Sequence, residues 1–105
     1  MRVAIACFDK DLESSVESHF GKANWFCICD TRTKEKLFIE NAETMKNDES
    51  GYLAAKTLAS RDIDMVIAGG FNIKESGYLR DHNIQMVIPR VSIRANKLID
   101  QVMCF

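Results

Sequence analysis

The sequence predicts an α/β protein built on a five-stranded mixed sheet in the order 3-2-1-4-5, with helices on its faces. Three observations carry this expectation. Short, nearly continuous apolar runs at 2–8, 63–68 and 84–88 have the length and composition of strands covered on both sides. Two further strand-length runs, 25–30 and 36–41, are joined by a polar connector of hairpin length. Capping residues followed by helical apolar spacing separate the remaining segments.

In chain order, the first strand runs from Arg2 to Phe8 and gives way to Asp9-Lys10-Asp11. The stretch from Asp9 to Asn24 is polar and rich in Ser and Glu, so it reads as a long loop with room for one helical turn. Trp25–Asp30 and Lys36–Asn41 then pair antiparallel. Tyr52, Ala55, Leu58 and Ala59 recur at helical spacing behind Asp48 or Ser50, predicting a first helix over about 50–61. Gly69-Gly70 ends the fourth strand. Asn72 and Glu75 form a capping box that opens a second helix, which stops near Asn83. Pro89 closes the fifth strand, and Ser92 caps a last helix with Ala95, Leu98, Ile99 and Val102 on one face.

Composition fits one folded unit spanning 1–105, since 47% of the residues are hydrophobic and 28% charged. Fourteen Lys and Arg against fifteen Asp and Glu leave a net charge of −1, which lacks the basic footprint of a nucleic-acid binder. No apolar run near the N-terminus has the length of a secretory signal or a membrane span, so a cytoplasmic protein is expected. Four cysteines are too few for a disulfide scaffold, and Cys27-x-Cys29 is not a zinc-knuckle spacing.

That strand order gathers the carboxyl ends of three parallel strands, and the start of strand two, on one rim. Gly69-Gly70 leads there into a helix N-terminus whose amides favour an anion, although the same pair also serves as a plain tight turn. His19-Phe20-Gly21-Lys22 lies in the long loop above the rim. Its imidazole can ligate a soft metal or donate a hydrogen bond, with Lys22 adding positive charge; the bland alternative is a surface histidine beside an anchoring Phe. Alternation puts Val3, Ile5 and Cys7 on one face of strand one and Trp25, Cys27 and Cys29 on one face of strand two. If the strands share that face, Cys7 and Cys27 become neighbours, either as soft-metal donors or as small buried hydrophobes.

Several segments together resemble the nitrogenase iron-molybdenum-cofactor biosynthesis family, of the NifX and NifB C-terminal type: Arg2-Val-Ala-Ile-Ala, Ser15 to Ala23 containing His19-Phe20-Gly21-Lys22, Ile28-Cys-Asp30, Glu40-Asn41, Gly51 with Ala54-Ala55, and Ile63 to Gly70. The resemblance implies a ribonuclease-H-like three-layer fold and a non-enzymatic carrier or chaperone of an anionic iron-sulfur or molybdenum-containing cluster. It carries the family motif onto His19, Phe20, Gly21, Gly69 and Gly70. Lys22 and Arg90 are added as cationic partners of the cluster, and His19 with Cys7 as metal donors, on chemical grounds. The chain departs from the family before Gly51, where a histidine is common and Asp48-Glu49-Ser50 stand here.

Partners implied are cluster donor or acceptor proteins, without nucleic acid or membrane. Two other classes compete with this reading. Leu37-Phe38-Ile39 forms an apolar sheet edge suited to a homodimer or to a regulatory protein contact without a cluster. A metal-dependent nuclease would need several clustered carboxylates, but Asp9 and Glu40 fall at one rim and Asp30 and Asp64 at the other.

Overall fold

The structure, a computed structural model, describes residues 1–11, 13, 15–41, 50–89 and 94–103. Five strands, β1 (Arg2–Cys7), β2 (Trp25–Asp30), β3 (Lys36–Glu40), β4 (Met65–Ile67) and β5 (Gln85–Val87), form one sheet in the order β3-β2-β1-β4-β5. β2 runs antiparallel to both β1 and β3, whereas β4 and β5 run parallel to β1. This is the sheet expected from the sequence. The helices are α1 (Ser50–Ala59), α2 (Ile73–Asp81) and α3 (Ala95–Met103).

Alternation along the strands sorts the side chains into two cores. Ala4, Ala6, Phe26, Ile28 and Val66 pack with Ala54, Ala55 and Leu58 of α1 and Leu79 of α2. Val3, Ile5, Cys7, Cys27, Cys29 and Ile67 pack on the other face with Ala95, Leu98 and Ile99 of α3. The sheet is thus the middle of three layers, as the apolar runs require.

Local chemistry sets the helix ends. Glu75 N–H donates to the Asn72 side chain at 2.8 Å and Asn72 N–H donates to the Glu75 carboxylate at 2.9 Å, completing the expected capping box. At the other end Asn83 adopts φ 59°, and Ile84 N–H reaches Leu79 O at 2.9 Å, closing α2 with a left-handed asparagine in place of glycine. The Ser92 cap and the alternative Asp48 cap lie outside the described residues. β4 and β5 are shorter than the apolar runs that announced them, but their flanks still bond to neighbouring strands, Asp64 N–H donating to Arg2 O at 2.8 Å and Ala68 N–H to Val87 O at 3.2 Å, and Ile63 and Ile84 remain buried.

Candidate functional site

After β1 the chain leaves the sheet and returns as a wedge between the ends of β1 and β4. Val16 bridges Cys7 antiparallel, and Glu17 N–H donates to Ala6 O at 2.8 Å. Glu17 O in turn accepts from Gly69 N–H at 2.8 Å, and Phe20 N–H donates to Gly70 O at 2.9 Å. The His19 loop and the glycine turn are therefore bonded to each other at the carboxyl rim.

Contact between the two backbones explains the glycines. A Cβ on Gly69 would lie 2.6 Å from Ser18 Cα, and one on Gly70 would lie 3.1 Å from Ser18 O. Neither glycine has positive φ, so absence of a side chain, and not backbone freedom, is what the site requires. Phe20 is fully buried, with ring centroids 5.3 Å from Phe26 and 5.4 Å from Phe71. Phe71 follows Gly70 directly, so one aromatic cluster holds down both the loop and the turn. A 3-10 turn over Phe20–Lys22 leaves the His19 and Lys22 side chains exposed, with His19 Nδ1 3.1 Å from Ser18 Oγ.

Beneath this turn lies a carboxylate that sequence reasoning identified only as a helix cap. Glu75 is 4% exposed, and a Cβ on Gly21 would lie 2.7 Å from its Oε2 and 2.9 Å from Gly51 Cα. A Cβ on Gly51 would overlap the same carboxylate. Burial pushes the Glu75 carboxyl above its ordinary range, opposed by the Asn72 N–H and the nearby His19. The capping-box spacing was the one sequence signal for this residue. Its seat between two glycines thirty positions apart emerges only in three dimensions.

The other expected site residues are placed as follows. Gly69 N–H is taken by Glu17, and the Asn72 and Glu75 amides by the capping box, so the anion cradle expected at this turn has fewer donors than the sequence suggests. Arg90 lies outside the described residues. Cys7 is fully buried in the α3-side core, its thiol 3.4 Å from Ile5 O, and burial pushes its pKa up to about 11. β1 and β2 do share the expected face: Cys27 stands opposite Ile5 and Cys29 opposite Val3, with the Cys27 and Cys29 sulfurs 3.8 Å apart. The hydrogen bond to Cys29, followed by burial, pushes the Cys27 thiol up. The same hydrogen bond holds the Cys29 thiol below its ordinary range. All three thiols are sealed in the α3-side core while His19 is exposed at the rim, and among the described residues no three His, Cys, Asp or Glu side chains converge as a metal site.

Sequence reasoning also missed an apolar fringe. Phe8 (57% exposed) directly follows β1, Ile73 (90%) opens α2 and Ile88 (57%) directly follows β5, which puts all three on the His19 rim. A cleft of about 770 Å³ opens instead at the opposite rim, lined by Arg2, Asp30, Arg32, Lys36 and Asp64 among others. Its polar groups serve the fold: Arg2 N–H donates to Asp64 at 2.8 Å, and Asp30 accepts from Arg32 N–H at 2.9 Å. Among the described residues no helix is long and apolar enough to cross a membrane.

Comparison with known proteins places this geometry in a family. The apo orange protein from Desulfovibrio gigas superposes with a TM-score of 0.88 at 20% identity, over 98% of this chain and 87% of that one. A putative NifB protein from Thermotoga superposes with a TM-score of 0.82 at 25% identity, over 94% of this chain and 84% of that one. No curated protein matches the sequence. The family model for dinitrogenase iron-molybdenum cofactor matches residues 1–103, and the chain belongs to that family.

Proposed function

We propose that this protein is a small cytoplasmic carrier or chaperone, not an enzyme, that binds an anionic iron-sulfur or molybdenum-containing cluster as cargo at the His19 rim. The observation that carries this reading is the direct bonding of the His19 loop to the Gly69-Gly70 turn, with the imidazole left exposed above it. Family membership supports it, as do the names of the two neighbours, one an apo orange protein and the other a putative NifB protein. We read the three-layer fold as ribonuclease-H-like.

In this proposal His19 supplies the metal bond through a ring nitrogen, a borderline donor suited to iron and related metals. Lys22 and Arg90 attract the anion. Phe20 and Gly21 act from below by fixing the loop, and Gly69-Gly70 by letting it approach. Cys7 is left out of this site, because its side chain is fully buried in the α3-side core and has no surface at the rim. Donor and acceptor proteins would meet the fringe of Phe8, Ile73 and Ile88, an apolar patch beside a polar site.

Anaerobic reconstitution with iron, sulfide and molybdate, followed by gel filtration and metal analysis, tests the reading. Wild type should keep a visible chromophore with stoichiometric metal, and His19→Ala should lose most of it. Equal retention by the variant would remove His19 from the site, and no retention by wild type would end the proposal.

A further inference from the structure

β3 is an edge strand whose outer side no described strand covers. The phase of its ladder follows from two bonds. Asn41 N–H donates to Asn24 O at 2.9 Å, and Asp30 N–H donates to Glu35 O at 3.0 Å, so these are hydrogen-bonded pairs in the β2–β3 register. Hydrogen-bonded pairs alternate in an antiparallel ladder, so Leu37 and Ile39 turn their peptide groups toward β2. Lys36, Phe38 and Glu40 therefore present their N–H and C=O groups to the free edge.

The side chains of this edge are complementary to their own reversal about Phe38: cation, apolar, aromatic, apolar, anion. We propose that β3 pairs antiparallel with β3 of a second copy about a two-fold axis at Phe38, joining two sheets into one. Phe38 then faces Phe38 of the other copy, Lys36 faces its Glu40, and Glu40 its Lys36. Each of these three pairs lies in phase with the outward groups and exchanges two main-chain hydrogen bonds. Leu37, 50% exposed in the single chain, falls opposite the other copy's Ile39 on the α1–α2 face of the sheet. Phe38, half-buried against the α3-side core, meets its twin on the opposite face.

Charge selects both the register and the occupant. Within Lys36–Glu40, a parallel arrangement sets Lys36 against Lys36, and every other antiparallel register in phase either opposes like charges or leaves them without a counterpart. Neither a proline nor a bulge, two devices that block edge pairing, interrupts this strand. A second copy of the chain supplies the complementary strand in full. This inference does not depend on cluster binding.

Sedimentation velocity on the full chain across a concentration series tests it. Wild type should show a reversible monomer–dimer equilibrium. Lys36→Glu and Glu40→Lys each place like charges at both ends of the pairing and should weaken the dimer by about tenfold or more. Both side chains are exposed, so the monomer fold should survive, as circular dichroism will register. Mixing the two single variants restores opposite charges at both ends and should restore a dimer containing one of each. A wild type that stays monomeric at every concentration, single variants that dimerise as well as wild type, or a mixture that stays monomeric would each overturn the proposal.

Discussion

At the scale of single residues, the two kinds of glycine in this chain make opposite predictions. Gly69→Ala must push a methyl group into the Ser18 backbone, 2.6 Å away, and either loop or turn has to yield. We expect a loss of about 1–3 kcal/mol in urea unfolding, the usual range for forced overpacking. Gly77 in α2 has nothing within 4 Å of its would-be Cβ, so Gly77→Ala should gain about 0.5–1 kcal/mol from helix propensity alone. If both alanines behave alike, the close-approach account of Gly69 fails. The sequence could place Gly69 near His19, because strand order alone puts both on one rim. It could not show that Ser18 rests on the glycine or that Glu17 consumes its amide, since both depend on the path of an irregular loop. For the same reason Cys7 was legible as a strand residue on the same sheet face as Cys27, but not as a thiol sealed from the rim.

At the scale of elements, the loop is held by Phe20 and the helices by their caps. Removing the Phe20 ring leaves a cavity between Phe26 and Phe71, and Phe20→Ala should cost about 3–5 kcal/mol in equilibrium unfolding. A cost under about 1 kcal/mol would show that the loop is anchored elsewhere. Glu75 links α2, the Gly21 turn and α1, and burial raises its folded-state pKa. A carboxyl raised in this way favours the folded state fully only below its unfolded pKa, and that contribution is lost as pH rises through the raised value. Glu75→Gln keeps an acceptor for Asn72 N–H and removes the titration. Its stability should match wild type in acid and exceed it increasingly as pH climbs past the ordinary carboxylate range; parallel profiles would contradict the assignment. The α2 cap was readable because Asn72 and Glu75 interact locally. The seat of the same carboxylate between Gly21 and Gly51 was not, because it needs three elements already assembled.

At the scale of the whole molecule, the order β3-β2-β1-β4-β5 divides the protein into a rim carrying His19 and an opposite rim carrying the cleft lined by Arg2, Asp30 and Asp64. Hydrophobic patterning and connection rules sufficed to foresee that division, because buried strands and helical stripes leave few ways to wind the chain. The same layering seals the three described cysteines under α3. In a Cys104→Ser background, an aqueous thiol reagent at neutral pH should leave Cys7, Cys27 and Cys29 unmodified until denaturant is added, and rapid native labelling would show that α3 does not close that face. The central claim is that anionic metal-sulfur cargo binds where the His19 loop meets the glycine turn. Amide chemical-shift mapping with tetrathiomolybdate, a diamagnetic molybdenum-sulfur dianion, locates such binding directly. The account predicts saturable shifts at His19–Lys22 and at Gly69 and Gly70, with Arg2, Asp30 and Asp64 unmoved. Shifts confined to the opposite cleft, or none at any ligand concentration, would contradict it.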